Sequence, residues 1–139
     1  MTKKKPKKKL PKLSGLAKKA WDLMSLISRQ KDADWKGSVS CITCGKVDHW
    51  KNMHAGHFFH ASKQSPVTYD HRNIHAQCPG CNTYRGGARD YYAVEIANRY
   101  GMNILEELQQ LKDQGKPMKR AEITSKIDEL TARLKNWKV

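Results

Sequence analysis

His54-Ala55-Gly56-His57-Phe58, then Asn73-Ile74-His75-Ala76-Gln77-Cys78, then Pro79-Gly80-Cys81-Asn82 is the stretch whose reading decides the fold. The first two runs predict short strands joined through a polar loop at 62–66. The third predicts a tight knuckle at which a helix can begin. Upstream lies a matching pair, Cys41-Ile42-Thr43-Cys44, with 33 residues between the two pairs. Two CxxC pairs at this separation point to one tetrahedral zinc held by Cys41, Cys44, Cys78 and Cys81. Buried free thiols or a redox pair is the competing reading. A redox site, however, needs only one pair, in a βαβ setting that this sequence lacks. With all four positions filled by cysteine, no coordination site is open to water, so such a zinc is structural. Gly45 and Pro79-Gly80 suit the knuckle turns.

Around this centre the composition narrows the options. The chain has 139 residues, enough for one domain with one modest core. Lys and Arg number 27 against 13 Asp and Glu, a formal charge of +14. No apolar run approaches the ~18 residues of a membrane span, and no apolar segment follows the Lys-rich start as a signal peptide requires. The expected setting is therefore the cytoplasm, where four cysteines bind metal rather than form disulfides. The charge favours a polyanionic partner, nucleic acid before an anionic membrane.

The remaining segments read as supports. Residues 1–12 hold Lys3, Lys4, Lys5, Lys7, Lys8, Lys9 and Lys12 and two prolines, a disordered basic arm suited to phosphates; a solubility tail or nuclear-import signal is the alternative. Residues 13–37 form a helix and linker. The helix, about 15–30, is capped by Ser14 and carries Leu13, Leu16, Ala17, Ala20, Trp21, Met24 and Ile27 at spacings of three and four. That stripe is expected to pack on the zinc module rather than on a membrane surface. The core, 38–113, includes two further helices, 89–100 ending at Gly101 and a shorter one through Ile104, Leu105, Leu108 and Leu111. Gly115-Lys116-Pro117 breaks the chain before a last helix, 117–139. Its seam of Ile123, Ile127, Leu130, Leu134 and Trp137 either packs back on the body or forms a homodimer.

All six histidines lie between His49 and His75. A hairpin followed by a helix and stapled by zinc has the layout of a ββα-metal centre. Phosphodiester hydrolysis there needs a His to take a proton from water, a hard divalent ion at the phosphate, and a polar residue to fix the connecting loop. The string AGHF, with NIHAQC beginning 16 residues after His57 and then PGCN, resembles the HNH endonucleases and, more closely, the phage NinG (Rap) recombination nucleases. The resemblance covers about residues 30–105. The CxxC-Asn ending is also similar to that of the zinc-stapled Holliday-junction endonuclease of T-even phages. The resemblance implies His57 as general base, Asn73 as the residue holding the loop through backbone hydrogen bonds, and Asn82 as a ligand of a catalytic Mg²⁺ or Mn²⁺. It also implies 5′-phosphate and 3′-hydroxyl products.

Two departures from the family pattern matter. Gly56 stands where many HNH sites have an Asp ligand, and His75, His54 or Asp70 would replace it. His75 is preferred over His54, since it lies two residues after Asn73 on the same side of a strand. Relatives carry a Ser-Arg-Gly stretch after the AGH motif, where this chain has His60-Ala61-Ser62-Lys63. Lys63, Arg72 or Arg85 would then supply the phosphate-binding cation. His49, His60 and His71 read as surface or packed residues. Tyr92 reads as helix core, with Tyr84 and Tyr91 left as packing or base-stacking residues.

The expectation is thus an α+β fold, a small zinc-stapled ββα-metal (HNH or treble-clef-like) core flanked by helices. It carries one structural Zn²⁺ and one catalytic divalent ion, and cuts DNA, branched in preference. A non-catalytic zinc module binding nucleic acid, or an HNH nicking enzyme acting on duplex DNA, is the alternative.

Overall fold

A computed structural model describes residues 10–137, the Trp137 side chain excepted. Lys3, Lys4, Lys5, Lys7, Lys8 and Lys9 of the basic arm lie outside the described residues.

The first helix, α1 (Leu13–Gln30), buries Ala17, Ala20, Met24 and Ile27, the stripe expected from the spacing. It starts earlier than a cap at Ser14 requires. Lys12 takes the extended cap conformation, and its carbonyl accepts the Leu16 N–H at 3.0 Å. Ser14 therefore sits inside the first turn and caps nothing, because an N-cap side chain must stand before the helical residues to reach the free N–H groups.

Two antiparallel hairpins come next. Strands β1 (Ser38–Ser40) and β2 (Val47–His49) carry the first cysteine knuckle at their tip, where Gly45 has φ +79°. Strands β3 (His54–His57) and β4 (Ile74–Gln77) pair His54 with Gln77 and His57 with Ile74. β4 is buried along its whole length. A single π-type turn, Gly80–Tyr84, leads from the second knuckle to α2 (Arg89–Tyr100), α3 (Ile104–Gln114) and α4 (Arg120–Trp137). The architecture is mixed α+β, with two two-stranded sheets and four α-helices among the described residues.

Helices cover both faces of the β3–β4 hairpin. On one side α2 and α3 enclose Phe58, Phe59, Val67, Tyr92, Ile96, Ile104 and Leu108. On the other, α1 packs with Tyr69, Ile74 and α4. The cysteine cluster has its own small core with Val39, Met53 and Ala76. The α1 stripe thus meets the second hairpin and α4 more than the zinc module itself.

The last helix resolves the choice left open by its seam. Ile123, Ile127 and Leu130 are buried against α1 within one chain, and Leu134 packs at the edge of the same cluster. The apolar face of the seam is thus filled within one chain. α1 and α4 each carry an apolar face, and joining them intramolecularly gains about 1.5–3 kcal/mol per buried Ile or Leu without the entropy of association. Among the described residues no helix is long and apolar enough to cross a membrane.

Candidate functional site

The four cysteines converge from both hairpins. The Sγ atoms of Cys41, Cys44, Cys78 and Cys81 all lie within 4.8 Å of one another. Three are buried and Cys44 is exposed. Burial opposes ionisation of Cys41, yet hydrogen bonds from the Thr43 hydroxyl and nearby backbone groups bring its pKa down to about 6. Cys44 gains from the Lys46 backbone, but burial and the three neighbouring thiols push it up to about 12. Four thiolates this close need a cation between them. The donor set and its spacing fit a structural metal ion such as zinc.

The second knuckle also sets the position of the residue after it. Asn82 comes directly after Cys81, and the turn holds its Nδ2 3.0 Å from Nδ1 of His54 at the start of β3. Both face a cleft of about 450 Å³ that also takes in His57, His60, Trp21 and Arg29.

His57 ends β3, nearly buried at 8% exposure. Its Nε2 lies 3.1 Å from the Thr68 carbonyl. A carbonyl can only accept, so Nε2 carries the proton and Nδ1 keeps the lone pair. The Trp21 ring stacks on the imidazole at 6.3 Å with 25° between planes. Burial lowers the His57 pKa; the Thr68 carbonyl works against this, and His60 adds to it. The side chain is neutral near pH 7, the state a proton acceptor needs.

The Thr68 carbonyl is itself held in place. Asn73, fully buried, accepts the Phe59 N–H at 2.8 Å and donates to the Phe59 and Val67 carbonyls, each at 3.0 Å. One amide side chain closes the loop between β3 and β4 at three backbone atoms, and the loop presents Thr68 to His57.

His75 does not join the cleft. Its Nδ1 lies 3.0 Å from the Tyr92 hydroxyl and its Nε2 2.7 Å from the Tyr100 hydroxyl, so both nitrogens are engaged in the core. This engagement runs against the preference for His75 over His54 as a metal ligand. The cross-strand partner of His75 is Gly56, one step from His57, and alternation along a strand sends it to the opposite face. The same alternation explains Gly56. A Cβ there would stand 2.1 Å from Oε1 of Gln77 and 2.9 Å from its Cβ, so position 56 points into the protein and not into the cleft. Gln77 is held by donating to Thr43 Oγ1 at 3.1 Å and the Gly87 carbonyl at 2.7 Å.

The predicted phosphate-binding cations scatter. Arg72 binds Asp70 and, at 2.7 Å, Glu107, so acids occupy its guanidinium and it is not the missing cation. Arg85 is exposed beyond the cleft lining, and Lys12 is exposed at the cap of α1. Lys63 holds its Nζ 5.5 Å from the centre of the Trp21 ring. Asp70, the third substitute for the absent acid, is committed to Arg72. Of the tyrosines, Tyr92 is core, while Tyr84 and Tyr91 are 87% and 70% exposed.

Sequence reasoning missed Arg29 and His60 and placed Trp21 only in the core. The available signal was Trp21, Ser25 and Arg29 at steps of four, one row of α1 beside its apolar stripe. All three line the cleft.

Comparison with known proteins agrees on one group. A family model described as Bacteriophage Lambda NinG protein matches residues 1–139. Protein ninG of Escherichia phage 933W is 32% identical over 92 residues, which is 66% of this chain and 43% of that protein. The same-named proteins of Escherichia phage lambda and Salmonella phage P22 are each 30% identical over the same shares. The match therefore spans less than half the length of these relatives. No solved structure matches the chain.

Proposed function

The chain belongs to the NinG family of bacteriophage proteins, and on that premise we propose that it is a metal-dependent DNA endonuclease of phage recombination that favours branched DNA. The observation that carries the reading is the state of His57. Its Nε2–H is spent on the Thr68 carbonyl, which leaves a neutral Nδ1 lone pair beside an open cleft with no carboxylate in its lining. An imidazole so held is equipped to take a proton from water.

In the proposed reaction His57 Nδ1 accepts a proton from water as its oxygen attacks phosphorus. The bond from phosphorus to the 3′ oxygen breaks, the 5′ end keeps the phosphate, and the departing oxygen takes a proton from solvent. Asn73 acts as a positioning residue, since it holds the loop whose carbonyl orients the imidazole. His54 and Asn82 are the side chains beside His57 that would hold a divalent ion once the Asn82 amide leaves its hydrogen bond to His54 Nδ1, and the ion would supply neutralisation of charge on the phosphate. These two donors are an imidazole and an amide, with no carboxylate in the cleft lining. That set fits Mn²⁺ better than Mg²⁺. On this reading the protein works in the cytoplasm of the infected host cell.

The test is a panel of labelled duplex, flap, three-way and four-way DNA, incubated with Mn²⁺ or Mg²⁺. Cutting is expected with Mn²⁺, most readily on branched forms. Binding to every form without cutting any would leave a non-catalytic zinc module. Equal nicking of plain duplex would favour a nicking enzyme that acts on duplex DNA without preference for branches.

A further inference from the structure

The cleft beside His57 has no Asp or Glu in its lining. Arg29 stands at one end of it. Its Nε donates to the Ser25 carbonyl at 3.1 Å, and its guanidinium lies 5.5 Å from the centre of the Trp50 ring. Among the described residues, no carboxylate comes within ion-pair distance of it and no acceptor takes its two terminal nitrogens. Arg72 and Arg99, by contrast, are each paired with acids. A guanidinium fixed at Nε, backed by an aromatic face and free at its outer edge is a ready receptor for an oxyanion.

A similar pairing stands beside the cleft, where Lys63 borders a neighbouring pocket. Lys63 lies over Trp21, and Trp21 stacks on His57. Lys51 adds a second cation to the Trp50 end, 5.7 Å from that ring. His57 thus stacks on one tryptophan that bears a cation, and the helix that carries this Trp21 also carries Arg29 with its own tryptophan partner. Trp21 and Arg29 are eight residues apart on α1, about 12 Å along the helix axis. One DNA strand advances ~3.4 Å per nucleotide along its axis, so this span covers about three to four phosphates. Arg29 and the Lys63 held over Trp21 are thus spaced for different phosphates of one strand.

We propose that one DNA strand runs along α1, with Arg29 and Lys63 gripping different phosphates of that strand beside His57. That this strand is the one cut rests on the endonuclease reading; the grip on phosphate does not.

The experiment measures affinity for a labelled duplex and a four-way junction against salt, in zinc-replete buffer without Mg²⁺ or Mn²⁺. Each phosphate contact contributes about −0.9 to the slope of log K against log salt on B-DNA. Arg29→Gln and Lys63→Gln should each make the slope less negative by about 0.9, and the double variant by about twice that. Arg72→Gln, whose cation is already paired, should leave it unchanged. Arg29→Lys keeps a cation over Trp50 but not the Nε bond to Ser25, and should restore the slope. If Arg29→Gln had merely loosened the fold, Lys would not rescue it. A wild-type slope in Arg29→Gln overturns the proposal. Cutting by the wild-type protein is scored separately. If the wild-type protein does not cut, the endonuclease reading falls and the slope still decides the phosphate grip. If it cuts and the Arg29→Gln slope is unchanged, the grip falls and the endonuclease reading stands.

Discussion

His57 and His75 sit one step apart across a single hairpin, and the fold makes opposite use of them. His57, paired with Ile74, faces α1 and the cleft with one nitrogen bonded to Thr68. His75, paired with Gly56, faces α2 with both nitrogens bonded to tyrosines. Burial, with Lys31, Arg99 and His71 nearby, lowers the His75 pKa to about 2. His75 is thus a neutral pin between β4 and α2. The comparison teaches that an imidazole is made reactive or structural by what the other face of its strand packs against. Residue type and spacing are the same in both cases.

Removing the clamp beneath the hairpin should disturb both histidines and produce the largest effect. Cys78→Ser should lose the bound zinc by elemental analysis and lose cooperative unfolding by circular dichroism, because binding energies of structural zinc reach ~10 kcal/mol or more and support folding. Zinc content and thermal midpoint equal to wild type would leave the four cysteines as ordinary core.

The two histidines should then separate by assay. His57→Ala should lower cutting by roughly 10²–10⁴-fold per folded molecule while DNA affinity is kept. A variant that cuts at the wild-type rate would remove His57 from the chemistry. His75→Ala should do the reverse. It leaves a cavity and takes the His75 partner from the Tyr100 hydroxyl, while Tyr92 keeps its bond to the Gly56 carbonyl, at a cost of about 2–5 kcal/mol in urea unfolding. The fraction still folded should cut normally.

Acid sharpens the contrast with the smallest effect. The folded pKa of His75 lies below its unfolded value near 6.5. As pH falls through that value, the unfolded chain takes up a proton that the folded chain refuses. Stability should therefore drop by about 1 kcal/mol between pH 7 and pH 5.5 from this group alone. His57 is shifted the same way and adds to the drop. Urea midpoints across this window should fall less steeply in His75→Gln. The lowered pKa of His57 also places the acid limb of kcat/KM below pH 6.5, since the neutral form is the base and stays neutral further into acid. A limb above pH 6.5 would point to a different acceptor.

Much of the fold is legible in the residues alone. The cysteine pairs act over a few residues, so their spacing alone implies a shared ion, and the structure brings the four sulfurs together. The helical stripes of α1 to α4 come from periodicity, and Asn82 is placed by its bond to Cys81. The sequence could not say which elements would meet. The row of Trp21, Ser25 and Arg29 gained a role only when α1 docked on β3 and made them one wall of the cleft. Asn73 and Thr68 came to act on His57 only through a closed loop. The seam of α4 had two partners open to it until α1 supplied the nearer one. His75 fitted the expected ligand pattern until Tyr92 and Tyr100 took both its nitrogens. Spacing along a chain determines periodicity, turns and ligand pairs, because these depend on neighbours in sequence. Which face is buried and which nitrogen is left free depends on contacts between residues far apart in the chain, and those were decided by tertiary packing alone.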